Sequence, residues 1–167
     1  TSQNITQSKE AEAALRESEE RFRTLIEWSP ECICVLRSGK IIYLNAAAMR
    51  TLGVASASEV LGRPYIDFAH PSFRAKALSR AATPLRQGES HPMAEECFLR
   101  ANGEPFHAEF QSIGILFDGQ PSIQLAFRDV TERKAAADLI EHLAFYDALT
   151  ELPNRRLMLD RLGLALT

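Results

Sequence analysis

The stretch MAEECFLRANGEPFHAEFQSIGILFDGQPSIQLAFR, residues 93–128, decides the fold. Met93–Leu99 and Pro105–Phe117 flank Ala101-Asn102-Gly103-Glu104, and Asn-Gly between two strand-rich runs is a strong hairpin signal. Asp118-Gly119 marks a second turn into Ser122–Arg128. Phe106, Ala108 and Phe110 alternate with His107, Glu109 and Gln111, the period of a sheet with one buried and one wet face. Three consecutive antiparallel strands follow.

Upstream, Cys32–Leu36 and Ile41–Leu44 are two more runs of strand formers, joined by Ser38-Gly39. Asn45 stands where it can cap a helix over Ala46–Leu52, which Gly53 closes. Residues 54 to 90 carry no strand signal. Ser56 or Ser58 is placed to cap a short helix, and Gly62, Pro64 and Pro71 divide the segment. From Ser72 to about Gln87 the pattern predicts a helix with Phe73, Ala77, Leu78 and Ala81 on one face, and with Arg74, Lys76, Arg80 and Arg86 solvated. Two strands, a run of short helices, then three strands, all tightly connected by hairpins, predict an α+β fold with a mainly antiparallel sheet covered on one face.

Amphipathic helices flank this core. Residues 8 to 28 place Ala11, Leu15, Ser18, Phe22 and Leu25 at steps of three and four, with Glu12–Arg16, Glu17–Arg21 and Glu19–Arg23 as favourable pairs four apart. After the last strand, Asp129 and Thr131 are helix-capping types and Glu132 completes a capping-box spacing. Ala136, Leu139, Leu143 and Tyr146 then form a narrow apolar seam, with Pro153 ending the pattern. About 16 helical residues would span roughly 24 Å.

Asp129-Val130-Thr131-Glu132-Arg133 resembles the ending of a PAS domain, and the strand–Asn45–Ala46 sequence, Gly62-Arg63-Pro64 and His70-Pro71 resemble other PAS punctuation. Asp147-Ala148-Leu149-Thr150-Glu151-Leu152-Pro153-Asn154-Arg155-Arg156 resembles the opening of a GGDEF domain, the diguanylate cyclase module, with Glu151 where glycine is usual. The first resemblance implies a five-stranded sheet in the order 2-1-5-4-3. Together they imply four segments: a flanking helix over 1–19, a PAS domain over 20–130, a signalling linker helix over 131–146 and the truncated start of a GGDEF domain over 147–167.

The composition is that of an ordinary soluble domain: 167 residues, 46% hydrophobic, 25% charged, net charge -3. Neither that charge nor any basic run points to nucleic acid, and no apolar run reaches membrane-spanning length. The opening TSQNITQSKE reads as cut from something longer, and the expected location is cytoplasmic. Cys32, Cys34 and Cys97 are odd in number and lack a Cys-x-x-Cys, which argues against disulfides or zinc. No phosphate loop, nucleophile elbow or histidine pair is present, and His70, His91, His107 and His142 are each isolated. Neither the Gly-Gly-Asp/Glu-Glu-Phe nor the Glu-Ala-Leu signature occurs, so the chain itself is expected not to be an enzyme.

The PAS resemblance implies a pocket between sheet and helices, with Asn45, Tyr65, Phe68, His70, Phe98, Phe110 and Gln124 as candidate lining. A photoactive flavin needs a cysteine after Gly62-Arg63, where Pro64-Tyr65 stand instead. Haem would need His70 or His91 to swing in. A non-covalent flavin, a small apolar or acidic metabolite, and a packed core with no ligand remain alternatives. The expected function is sensory and dimerising. Asp129, Thr131 and Arg133 would relay a pocket event to a downstream cyclic-di-GMP domain through helix-capping contacts. Leu15, Phe22, Leu25, Leu139 and Leu143 would form a homodimer seam. The competing readings are a structural dimeriser without a ligand and a haem- or flavin-binding redox sensor.

Overall fold

The computed structural model of the chain describes residues 2–147, 150, 152–154 and 158; the side chains of 2–8, 10, 11 and 15 lie outside the description. The chain divides into two compact units, 1–129 and 130–167.

The first unit opens with α1 (Ser2–Glu27), followed by β1 (Cys32–Arg37) and β2 (Lys40–Leu44). Ser38 and Gly39 turn between them at φ 50 and 74, the left-handed pair a tight hairpin needs. Next come α2 (Ala46–Leu52), 3₁₀ turns at Ala57–Glu59 and Tyr65–Phe68, and α3 (Arg74–Ala82). The unit closes with β3 (Ala94–Leu99), β4 (Pro105–Phe117) and β5 (Gln120–Asp129). All pairings are antiparallel and the order is β2-β1-β5-β4-β3, as expected. The alternation along β4 also holds: Phe106, Ala108 and Phe110 are buried.

Two expectations are corrected. α3 ends at Ala82, short of Gln87, because Pro84 forces Thr83 into an extended shape (φ -91, ψ 105). Leu78 is 57% exposed, so the buried face of α3 is carried by Phe73 and Ala77. The chain after Thr83 crosses back to β4, where Gly88 N–H donates to the Gly114 carbonyl and Gly114 N–H to the Glu89 carbonyl, each at 2.9 Å. Gly114 is required there: a Cβ would lie 2.2 Å from the Arg86 carbonyl oxygen.

Asn45 holds the unit's first half together. It is fully buried and caps α2, its Oδ1 accepting from Ala48 N at 2.9 Å and from Ile33 N at 3.0 Å. Its Nδ2 donates to the carbonyls of Ile26 (3.0 Å) and Glu31 (2.9 Å). The amide thus uses its full capacity of two acceptor and two donor positions. Tyr43 adds a second tie to α1, its hydroxyl donating to Glu27 at 2.9 Å. Burial, and then that hydrogen bond, push the Tyr43 phenol up to about 12, so it stays a donor.

The second unit contains α4 (Thr131–Phe145) and a reversing turn. Asp147 Oδ1 accepts from both Thr150 N and Thr150 Oγ1 at 3.0 Å. Asn154 turns back onto the helix end, Nδ2 donating to Ala144 O at 2.7 Å and its backbone N–H to Phe145 O at 2.8 Å. Positions 148, 149, 151, 155–157 and 159–167 of the GGDEF-like segment lie outside the described residues.

Replacing Asn45 by alanine strands two N–H groups and two carbonyls in an enclosed place. A loss of about 3 kcal/mol or more is expected, at about 1–3 kcal/mol per unsatisfied group. Urea denaturation measures it; a loss under about 1 kcal/mol would show that the amide is not a structural hub.

Candidate functional site

Between the inner face of the sheet and α3 lies a cavity of about 510 Å³. It exists because α3 presents Ala77, Ala81 and Ala82 towards it, small side chains that leave space between helix and sheet. The strap 84–91, held close by Gly114, supplies Pro84, Leu85 and His91 to another wall. A smaller cavity of about 50 Å³ adjoins the aromatic cluster deeper in the core.

Of the expected lining residues, Tyr65, Phe98 and Phe110 border both cavities and Phe68 borders the smaller one. Phe73, Phe98 and Phe110 meet edge to face, with centroids 5.3 to 5.8 Å apart. Tyr65 anchors its hydroxyl on the Ala77 carbonyl at 2.7 Å. Three expectations are corrected. Asn45 borders neither cavity, because its amide is consumed by the backbone contacts described above. His70 borders neither: its Nδ1 lies 2.8 Å from Ser72 Oγ, in the turn before α3. Gln124 borders neither, because it alternates with Ile123 and Leu125, which line the larger cavity, onto the opposite face of the sheet.

Besides Tyr65, the polar groups of the larger cavity come from positions not expected to line it, His91 having been weighed only as a haem ligand. Arg80, expected in a solvated face, lies with its guanidinium 4.8 Å over the Phe110 ring and donates to the Pro92 carbonyl at 2.9 Å. Arg37, from β1, donates to Ser122 Oγ at 3.2 Å and to the Phe117 carbonyl at 2.6 Å. His91 Nδ1 lies 2.9 Å from Ser112 Oγ, and its backbone N–H donates to the Ser112 carbonyl at 3.0 Å. His91 Nε2 is shut off from solvent and has no hydrogen-bond partner. His91, two residues before Met93 in a Pro- and Gly-punctuated stretch, gives no periodic signal; the turn-rich run before a strand was the one clue.

The three cysteines, Cys32 and Cys34 buried and Cys97 partly so, are chemically quiet. Burial pushes the Cys34 thiol up to about 12 and raises Cys32 and Cys97 as well, so none is poised as a thiolate. Among the described residues, no three His, Cys, Asp or Glu side chains are grouped to hold a metal ion. Nor is any described helix long and apolar enough to cross a membrane.

At the exit of β5 the N-cap position of α4 falls one residue beyond Asp129. Asp129 still belongs to the sheet, opposite Ala108, and its carboxylate accepts from Arg100 at 2.6 Å. The N-cap of α4 is Val130, where no side-chain cap bond is made. Arg100 comes from the β3–β4 turn; it also donates to the Thr51 carbonyl at the end of α2 and lies 4.6 Å over the Phe106 ring. One guanidinium therefore ties α2, β4 and the last residue of β5. Thr131 and Arg133 fall in the first turn of α4.

Burial, and secondarily the positive charge of Arg80, hold the His91 imidazole below its usual range. An unfolded histidine takes up its proton near pH 6.5, roughly, and the folded one only lower. The unfolded chain then binds more protons as pH falls, so stability is lost below about pH 6.5. Melting temperatures of the wild type and His91→Gln, taken at about pH 7.5 and about pH 5.5, check this. The variant is expected to lose less on acidification; equal losses would show that His91 titrates normally.

The comparisons agree with this architecture. The family model described as "PAS fold" matches residues 20–130. Sporulation kinase A of Bacillus subtilis is 23% identical over 137 residues, which is 82% of this chain and 23% of that protein. An uncharacterized signaling protein of Caulobacter vibrioides is 32% identical over 157 residues, 90% of this chain and 18% of that one. The chain thus spans less than a quarter of the length of these curated relatives. Among solved structures, the PAS domain of an HTR-like protein from Haloarcula marismortui superposes with a TM-score of 0.60 at 25% identity, covering 72% of this chain and 98% of that one. The five-stranded sheet, the helices on its inner face and the matched residues place this chain in the PAS family.

Proposed function

We propose that the larger cavity is the input site of a sensory domain and that β5 is its output element. One observation carries this reading: the same strand lines the cavity through Pro121, Ser122, Ile123 and Leu125 and ends at Asp129, two residues before α4. A change in the cavity acts on β5, and the Arg100 clamp sets how firmly the strand's end is held. The mechanism is a shift between two populations of the strand end, of the 1–3 kcal/mol size typical of allosteric coupling.

The finer reading is that the next domain of the whole protein is a diguanylate cyclase, regulated in the cytoplasm. It is supported by the sequence Asp147-Ala148-Leu149-Thr150-Glu151-Leu152-Pro153-Asn154-Arg155-Arg156 and, among the described residues, by the Asp147–Thr150 and Asn154–Ala144 hydrogen bonds. The test uses the uninterrupted gene product with GTP and Mg²⁺. It is expected to make cyclic-di-GMP, and Arg100→Gln to change its output by about fivefold or more. The 167-residue chain is expected to make none. A gene product that makes no cyclic-di-GMP would remove the cyclase reading.

A homodimer through the flanking helices completes the proposal. Phe22 and Leu25 are each 64% exposed on α1, and Trp28, one further step of three along, is 83% exposed. Leu139 and Leu143 are more than half exposed on α4, while the side chain of Leu15 lies outside the described residues. Covering large apolar side chains contributes about 1.5–3 kcal/mol each. Sedimentation equilibrium should find a dimer for the wild type and a monomer for Phe22→Glu/Leu25→Glu. A monomeric wild type would refute it.

A further inference from the structure

The wall of the larger cavity is mostly apolar, and its charges all carry one sign. The charged side chains that line it are Arg37 and Arg80; no aspartate or glutamate does. Their hydrogen bonds go to backbone carbonyls and a serine hydroxyl, and neither has a carboxylate partner among the described residues. A guanidinium carries five N–H donors, so both keep donors in reserve. Arg80 binds the carbonyl of Pro92, the residue after His91, so the guanidinium and the imidazole with its unpartnered Nε2 stand at the same end.

Charge and size select the occupant. A cationic ligand would add a third positive charge between low-dielectric walls. A neutral apolar ligand would strip water from Arg80 and return nothing, and an uncompensated charge is costly to desolvate. A carboxylate matches the planar fork of a guanidinium and can take two parallel hydrogen bonds. A phosphate ester brings about two charges and three acceptor oxygens, more than the Arg80 guanidinium and the His91 imidazole at their shared end satisfy. The volume of about 510 Å³ falls in the range of roughly 300–1,000 Å³ typical of sites for small organic ligands.

We propose that the cavity binds a small organic carboxylate, its apolar body against Phe98, Phe110 and Leu125 and its carboxylate on Arg80 at the His91 end. This deepens the sensory reading and rests on it. It also gives β5 a contact with the ligand, through Leu125.

The experiment titrates the ¹⁵N-labelled chain with phenylacetate, phenylacetamide and 2-phenylethylamine, which share a ring and differ in charge. Phenylacetate is expected to shift the amides of Ser112, Leu125 and Ala77–Ala82 in a saturable way. Phenylacetamide should bind about tenfold more weakly, the loss of a charge-assisted hydrogen bond, and the amine should not bind. Arg80→Gln should lower phenylacetate affinity to that of the amide and leave the amide's affinity unchanged, with the remaining spectrum intact as the folding control. If the amide or the amine binds as tightly as the acid, the carboxylate inference is overturned while the cavity stands as an input site. If none of the three shifts a cavity amide, both the inference and the sensory reading of the cavity fall.

Discussion

A single buried amide organises the first half of this domain. Asn45 is the residue between β2 and α2, and every one of its side-chain hydrogen-bonding positions is filled by backbone from α1, the segment before β1, β1 itself and α2. A buried amide is tolerable only when satisfied, and here satisfaction requires four chain segments to be in place at once. The consequence reaches beyond stability. α1 is attached to the core by Asn45 and by Tyr43–Glu27, so its last turn is set by the sheet while its Phe22 and Leu25 remain exposed. An exposed apolar stripe on a firmly anchored helix is suited to meeting a second surface.

The sheet's other end is fixed by a charge. Arg100 reaches the carbonyl of Thr51, the carboxylate of Asp129 and the face of Phe106 from one turn. Asp129 therefore acts as the terminus of a strand held by an ion pair, and the N-cap position of α4 is Val130, whose side chain makes no cap bond. A half-buried, charge-assisted contact of this kind is stronger than a neutral hydrogen bond, so the end of β5 is held firmly.

Between these two ties the core is deliberately incomplete. The aromatic cluster of Phe73, Phe98 and Phe110 is packed edge to face. Beside it, the alanines of α3 and the strap over Gly114 leave about 510 Å³ unfilled. Space of that size beside a close-packed aromatic cluster, lined by serines and two arginines without carboxylates, falls in the size range of small-ligand sites.

The sequence alone determined what local chemistry controls. Ser38-Gly39 and Asp118-Gly119 could only be tight turns, Asn45 and Gly53 could only bracket a short helix, and alternation along Phe106–Gln111 assigned the faces of β4. These signals act over a few residues, and with the PAS resemblance they sufficed for the α+β class and the strand order. The tertiary structure alone decided what depends on distant residues meeting. Gln124 was placed on the outer face by its register with Ile113 and Val35, and Asp129 was drawn to Arg100, 29 residues away in sequence. Arg80 and His91 entered the cavity because Pro84 stopped α3 early and Gly114 let the strap fold back. No periodicity records such encounters, since the partner of a buried charge or an unfilled volume is set by which elements pack together, and not by what lies three or four residues along the chain.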